Sequence, residues 1–392
     1  MKLRADTLLI RLEFLALVGI VVTQALGRAS LSSLLFTLTF ALTAGVWLVT
    51  VIGRISRRNG LVILIVVVSC ACVAANALVT NTVVSPSYFK KLIMFWSAVM
   101  AFGAMGEYQP SRKDVRFLFR WNAFLACFLA AMYLLRKDQM HLLNGLVTGF
   151  LTFRFTNPNL AAVFLSAVCM IELIHGASAK GRERHAHMAL AGILAFFVFE
   201  TRARNAQLLL AFFLLVYLIP PRRNPEMRGW MAALVAAFPF LFAVGYLLLV
   251  YEPAVQKLFS FLIGEGKDLD SRVGIWSYAL GAFAVSPIFG AYSQISGGTG
   301  ASQMHNSHLD ILASYGAPVF GLVCLFLFLL LRPDGSTPKG RVGFLCQTGF
   351  AALLLSGIGE AMLFSGGMGI YLFAGVLLMQ ANFDFEGGDA SL

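Results

Sequence analysis

Apolar runs separated by short polar breaks recur along the whole chain, at 12–26, 31–52, 61–80, 92–106, 117–135, 160–175, 188–199, 206–219, 230–251, 308–331, 342–358 and 369–380. Many approach the roughly 20 residues that carry a helix across a hydrocarbon core about 30 Å thick. Lipid leaves no water to satisfy backbone groups, so such runs must be helical unless a barrel closes on itself. A barrel would alternate apolar and polar positions over segments of about ten residues, and no such pattern is present. The pattern predicts an all-α polytopic membrane protein of about twelve transmembrane helices, forming one integral domain over residues 1–392.

Charge orients the bundle. Six same-side segments each carry three basic residues: Lys2/Arg4/Arg11, Arg54/Arg57/Arg58, Arg112/Lys113/Arg116, Lys180/Arg182/Arg184, Arg222/Arg223/Arg228 and Arg332/Lys339/Arg341. They hold 18 of the 30 Lys and Arg. Cytoplasmic loops are enriched in such residues, which places both termini in the cytoplasm. The opposite side then holds 81–91, 136–159, 200–205, 252–306 and 359–366, of which 252–306 is much the longest. Its apolar stretch 275–289, broken by Ser286-Pro287, is expected to lie on the bilayer or dip into it.

Composition agrees. The chain is 59% hydrophobic and 12% charged, against about 25% charged in soluble domains. The net charge of +11 belongs to the loops, so topology explains it better than nucleic acid does. The run 8–26 lacks a cleavage site and leads directly into another span, so it reads as a span rather than a signal peptide. All six cysteines lie in apolar runs and read as small core residues.

The polar residues on the outer side are the candidates for chemistry. His305-Asn306 stands where the long loop enters a span: Asn306 suits a helix N-cap, and the His305 imidazole suits a general base. His308 falls near the same face as a second base or an orienting partner. Thr201-Arg202-Ala203-Arg204 is either an incidental loop or a paired guanidinium clamp for a diphosphate. Arg272 opens a helix as an interfacial anchor with Trp276 or as a phosphate ligand. Arg154 and Asn157-Pro158-Asn159 read as a turn and helix cap before a span. Asp268-Leu269-Asp270 is too solitary for a metal site, and Gly297–Gly300 lacks the strand and the GK[ST] of a phosphate loop. No metal or other cofactor is expected. His185 and His187 read as solvated loop residues. Glu172 and Glu360 sit in or beside apolar runs with no partner evident.

Taken in order, these segments resemble the O-antigen ligase and O-antigen polymerase superfamily of membrane glycosyltransferases. The matching motifs are Thr156–Asn159, T-x-[SA]-R at Thr201–Arg204, R-x-x-x-W with P-x-x-G (Arg272, Trp276, Pro287, Gly290), and H-N-x-x-L followed by glycine (His305, Asn306, Leu309, Gly316). They cover about residues 150–325, while the first 140 match only as generic spans. The resemblance implies a GT-C-type helical fold whose long outer loop carries short helices. It also implies metal-independent transfer of a glycan from undecaprenyl diphosphate to a sugar hydroxyl, on a glycan or a lipid-anchored sugar. The site would face outward from the bacterial cytoplasmic (inner) membrane. Arg204 and Arg272 would grip the diphosphate and His305 would activate the acceptor, with Asn306, His308, Arg154 and Asn159 in support. The chain has Ala203 where the family often has Ser, and an additional Arg202; spacing to Ala206 and Leu208 favours Arg204 as the family's arginine. The competing reading is a lipid-linked oligosaccharide flippase or other transporter.

The topology makes a direct prediction. A Ser296→Cys variant in a background without reactive cysteines should label with an impermeant maleimide from the outer side of intact cells. Labelling only after the membrane is breached would reverse the orientation and remove the site with it.

Overall fold

The structure, a computed structural model, describes residues 5–53, 56–81, 86–143, 146–155, 157–219, 229–249, 252–254, 257, 269–291, 304–332, 340–359, 362–365 and 369–383. In chain order its helices are α1 (Ala5–Ala25), α2 (Ala29–Gly53), α3 (Arg57–Thr80), α4 (Pro86–Glu107), α5 (Arg112–Leu135), α6 (Lys137–Met140), α7 (Pro158–Ser178), α8 (Gly181–Glu200), α9 (Arg204–Leu218) and α10 (Gly229–Leu249). They continue with α11 (Leu269–Val285), α12 (Ser307–Leu331), α13 (Arg341–Leu355) with a 3-10 turn at Ser356–Ile358, α14 (Met362–Ser365) and α15 (Ile370–Ala381). Between α6 and α7 lies an antiparallel pair of two-residue strands, Leu142–Leu143 and Leu146–Val147.

Among the described residues, eight helical segments are long and apolar enough to cross a membrane, and α9 and α15 are shorter apolar helices. The protein is an all-α polytopic membrane protein. Almost every residue of α7 is buried, as expected of a helix that is apolar on all sides and enclosed by others. It packs against α5, α8, α9 and α13. Several helices begin at a side-chain cap: Ser56 for α3, Ser111 for α5, Asn157 for α7 and Asn306 for α12. Ser111 accepts the Asp114 amide at the start of α5 while Asp114 accepts the Ser111 amide, closing a capping box.

The long segment 252–306 is not merely a loop. The 17-residue α11 lies within it and packs on α10 and α12, a longer helix than the short ones expected there. Trp276 of α11 donates to the Met304 carbonyl just before α12, at 3.1 Å. Eleven residues on, Pro287 meets Ala317, ten residues inside α12. The two helices therefore run side by side, in the same direction, for about 16 Å at the usual rise of 1.5 Å per residue.

Their junction depends on a break in α12. Gly316 is non-helical, with φ 80° and ψ 176°. A continuous helix would pair the Ala317 amide with the Ala313 carbonyl. Here the Ala317 amide donates to the Pro287 carbonyl at 2.8 Å, and the Ala291 amide donates to the Ala313 carbonyl at 2.8 Å. The turn after α11 thus takes both halves of the broken bond. Two more of its carbonyls are engaged: Asn76 of α3 donates to Gly290, and the Cys72 thiol lies 3.6 Å from the Ile288 oxygen.

This close approach requires glycine on both sides. A Cβ on Gly290 would collide with the Ser314 carbonyl, and one on Gly316 with the Ile288 carbonyl, while φ is +74° and +80° respectively. Gly290→Ala and Gly316→Ala should each lower the thermal stability of the detergent-solubilised protein by more than about 2 kcal/mol, combining left-handed strain with backbone collision. Gly192→Ala, on α8 in open space, should be neutral or stabilising because alanine is the better helix former. Equal tolerance at all three positions would contradict the packed junction.

Candidate functional site

Asn306 is the N-cap of α12 and is fully buried. Its Oδ1 accepts from the amides of His308 and Leu309, both at 3.0 Å. Its Nδ2 donates to the carbonyl of Pro239 in α10 at 2.8 Å and to that of Ile358 at 3.3 Å. One amide side chain therefore ties α12 to α10 and to the 3-10 turn after α13.

The same turn receives two more candidate segments. Asn205, next to Arg204 at the start of α9, donates to the Ser356 carbonyl at 2.8 Å. A Cβ on Gly359 would stand 3.3 Å from Arg272 Nη1 and 3.3 Å from Asn205 Nδ2. The Arg272 guanidinium, the Asn205 amide and the Asn306 amide thus converge on residues 356–359 from α11, α9 and α12. The spacing of Arg272 and Trp276 explains the convergence. Residues four apart share one helix face, so the tryptophan that holds Met304 aims the arginine one turn earlier toward the same end.

His305 lies between two held neighbours. The Met304 carbonyl is fixed by Trp276 and Asn306 by four hydrogen bonds, and His305 itself adopts φ 49° and is half-buried. Non-glycine residues rarely occupy that region, and strain of this kind persists only where the surroundings over-determine it. Phe153, Arg154 and Arg202 share this left-handed conformation. Of the five such residues described, Arg202 and His305 lie within the motifs, and Phe153 and Arg154 just before the first of them.

His308 has a different place. It is buried, and its Nε2 lies 2.6 Å from the Ala236 carbonyl. A carbonyl only accepts, so Nε2 carries the proton. The contact falls one turn before Pro239, whose missing N–H interrupts the helix ladder of α10. His308 is thereby committed to holding two helices together.

Arg202 and Arg204 are both exposed at the α8–α9 turn, and α9 begins at Ala203 without a side-chain cap. The positive end of its helix dipole favours negative charge there. The TNPN segment serves α7: Asn157 caps it with an acceptor 2.8 Å from the Asn159 amide, and Pro158 occupies the first turn. Thr156 lies outside the described residues. The structure does not bring Arg154 to the turn at 356–359. The Arg154 guanidinium lies over Gly27 after α1, and its carbonyl accepts from Gln24 at 2.7 Å. This segment joins the arginine turn instead, through the Leu151 amide on the Glu200 carbonyl at 3.0 Å.

Two expectations are corrected. His187 is not a solvated loop residue: it lies on α8 with its Nδ1 2.7 Å from Glu172 Oε2. Glu172 has partners after all, since its other oxygen accepts from Asn122 of α5 at 2.6 Å. Facing helices supply these groups, which the sequence spacing could not reveal. With His175 they form a cluster whose potential ligand atoms lie within 4.8 Å of one another. It is the one group of three or more potential metal ligands among the described residues, and both carboxylate oxygens are occupied by hydrogen bonds. Asp268, Gly297–Gly300 and Glu360 lie outside the described residues. Sequence reasoning missed Asn205 and the Ser356–Gly359 turn. The signal was present as SGIG directly after an apolar run.

No known protein family matches the chain, and no curated protein matches it. Any functional reading therefore rests on the chemistry of these residues and the order of the segments.

Asn306 provides the sharpest test of this geometry. Aspartate caps a helix as well as asparagine does, but it cannot donate to Pro239 and Ile358. Asn306→Asp should therefore destabilise the solubilised protein by roughly 1–3 kcal/mol, the cost of leaving buried carbonyls unpaired. A thermal unfolding curve matching the parent would show that capping alone matters.

Proposed function

We propose that this protein is a membrane glycosyltransferase of the O-antigen ligase/polymerase type, transferring a glycan from undecaprenyl diphosphate to a sugar hydroxyl. The observation that carries the reading is the convergence of three polar motif segments on the turn at 356–359, with His305 held beside it in a strained conformation. In this reading about twelve spans form a GT-C-type bundle, both termini are cytoplasmic, and the site opens on the outer face of a bacterial cytoplasmic membrane.

The chemistry asks little else of the site. The acceptor oxygen attacks the anomeric carbon, the bond from that carbon to the diphosphate oxygen breaks, and the electron pair leaves with undecaprenyl diphosphate. Arg272 and Arg204 neutralise that growing charge through fixed forked donors, helped by the uncapped start of α9. His305 takes the hydroxyl proton as the new bond forms. Asn306 and His308 position the histidine's backbone and make no contact with the reacting atoms. Arg202 is the alternative diphosphate ligand at the α8–α9 turn, whereas Arg154, over Gly27, and Asn159, in the first turn of α7, support the fold around the site rather than the diphosphate.

A transporter remains the second reading, favoured by one observation. Glu13 of α1 and Glu172 of α7 are fully buried carboxylates in apolar helices, positions that often mark ion or proton pathways. Glu13 accepts from Thr43, and Glu172 is engaged as described. Glycan transfer by purified protein, assayed with a synthetic lipid-linked donor, separates the two.

In that assay His305→Ala should lose about 10²–10⁴ in rate, the usual contribution of a general base, while still binding donor. His308→Ala should be less stable yet measurably active. Arg204→Ala and Arg272→Ala should weaken donor use severely. Lysine at either position should restore little, because a point charge cannot replace a bidentate fork. Lys90→Ala, exposed on α4, controls for lost charge. Normal turnover in His305→Ala would remove the mechanism, and loss of donor binding would recast His305 as a diphosphate ligand. In a deletion strain, single unpolymerised repeats would identify a polymerase, and long chains stranded on the carrier a ligase.

A further inference from the structure

The opposite end of the bundle carries a second polar feature that the transfer reading does not use. Arg11 of α1 and Lys113, Arg116, Phe117, Arg120 and Trp121 of α5 line an open pocket of about 380 Å³. Four of its six lining residues are cations, and none is acidic. The nearest carboxylate is already committed. Asp114 accepts from Arg11 Nε and Nη2 at 3.0 and 2.7 Å, and from the Ser111 amide and hydroxyl at 2.9 and 2.6 Å. The Arg11 guanidinium also lies 5.2 Å from the centre of the Phe117 ring, which fixes its place in the wall.

Positive-inside topology accounts for basic residues at this end, but not for their arrangement. Arg116 and Arg120 are exposed and make no hydrogen bond or ion pair among the described residues. They stand four residues apart on one helix face, where like charges repel. Arg120 is eight residues into α5, about 12 Å along the helix from Arg112 at 1.5 Å per residue. A guanidinium that deep in a membrane helix needs an anion or a route back to water. Below the cations an aromatic track continues down the same helix. The ring pairs Phe117–Trp121, Trp121–Phe124 and Phe124–Phe128 have centroid separations of 6.3, 5.4 and 6.3 Å, and Phe124 is 47% exposed. Cations above and partly exposed apolar rings below match one amphipathic molecule, with a phosphate at one end and hydrocarbon at the other.

We propose that this pocket binds the phosphodiester headgroup of an anionic phospholipid from the leaflet at the basic end of the bundle, with an acyl chain lying along Trp121, Phe124 and Phe128. Basic pockets between membrane helices bind acidic headgroups in this way. The aromatic track favours a lipid over free phosphate, which would use only the cations.

The test uses the full chain in nanodiscs of phosphatidylcholine with increasing phosphatidylglycerol, counting retained phosphatidylglycerol by native mass spectrometry. The parent should retain it. Arg116→Gln/Arg120→Gln should bind it roughly thirtyfold more weakly, the ordinary effect of removing two membrane-surface cations. Arg182→Gln/Arg184→Gln removes the same charge from α8, at the same end of the bundle, and should retain the lipid. Phe124→Ala should weaken retention while leaving every cation in place. Because Arg116 and Arg120 are exposed, thermal stability in phosphatidylcholine alone should match the parent. If it falls, the single Arg120→Gln variant, expected at about fivefold, decides instead. Equal loss from both arginine pairs would reduce the effect to general surface charge. Displacement by millimolar inorganic phosphate, with no effect of Phe124→Ala, would make the pocket a free-anion site. Failure of the parent to retain phosphatidylglycerol would overturn the proposal outright.

Discussion

Hydrocarbon offers no hydrogen bonds, so every backbone amide and carbonyl inside a membrane protein must find its partner within the chain. The break at Gly316 is where that constraint shapes this molecule most. Opening one turn of α12 releases the Ala317 amide and the Ala313 carbonyl, and the turn at Pro287–Ala291 takes up both. The exchange fastens α11 beside α12. Together with the Trp276–Met304 hydrogen bond, it fixes Arg272 and Trp276 relative to His305. Paired glycines, Gly290 and Gly316, let the two backbones come close enough, and Asn76 closes the remaining gap from α3. The irregular backbone is thus what sets the site's geometry.

Asn306 extends the same logic to the N-terminal end of α12. An asparagine amide has two donor hydrogens and an oxygen with two lone pairs, and here all four are used. A fully satisfied buried polar group rigidifies its surroundings, whereas a partly satisfied one weakens them. The neighbouring histidines then diverge in role. His308 spends its proton on the Ala236 carbonyl, while His305 is held half-exposed in a left-handed conformation between two fixed neighbours.

Charge divides the protein into two ends of different character. Around the turn at 356–359, one guanidinium, that of Arg272, meets the side-chain amides of Asn205 and Asn306 from separate helices, an arrangement suited to a defined anion. Along α5 cations repeat on one face above a ladder of aromatic rings, which suits an amphipathic molecule.

Much of this was legible in the residues themselves. The apolar runs fall within or close to the observed helices; the run at 61–80, for example, lies inside α3 at Arg57–Thr80. Asn306 and Asn157 were readable as caps because capping is local, a side chain reaching an amide two or three residues on. The helix between Arg272 and the Pro287 turn was legible for the same reason. Sequence could not place Asn205 beside Arg272 over Gly359, nor show that Arg154 turns toward Gly27, because those neighbours lie 67 to 154 positions apart. Nor could it pair Glu172 with Asn122 and His187 on two other helices. Hydropathy and capping act over a few residues and were settled along the chain. Which polar groups meet depends on how the helices pack and on where one of them breaks, and only the tertiary structure decided that.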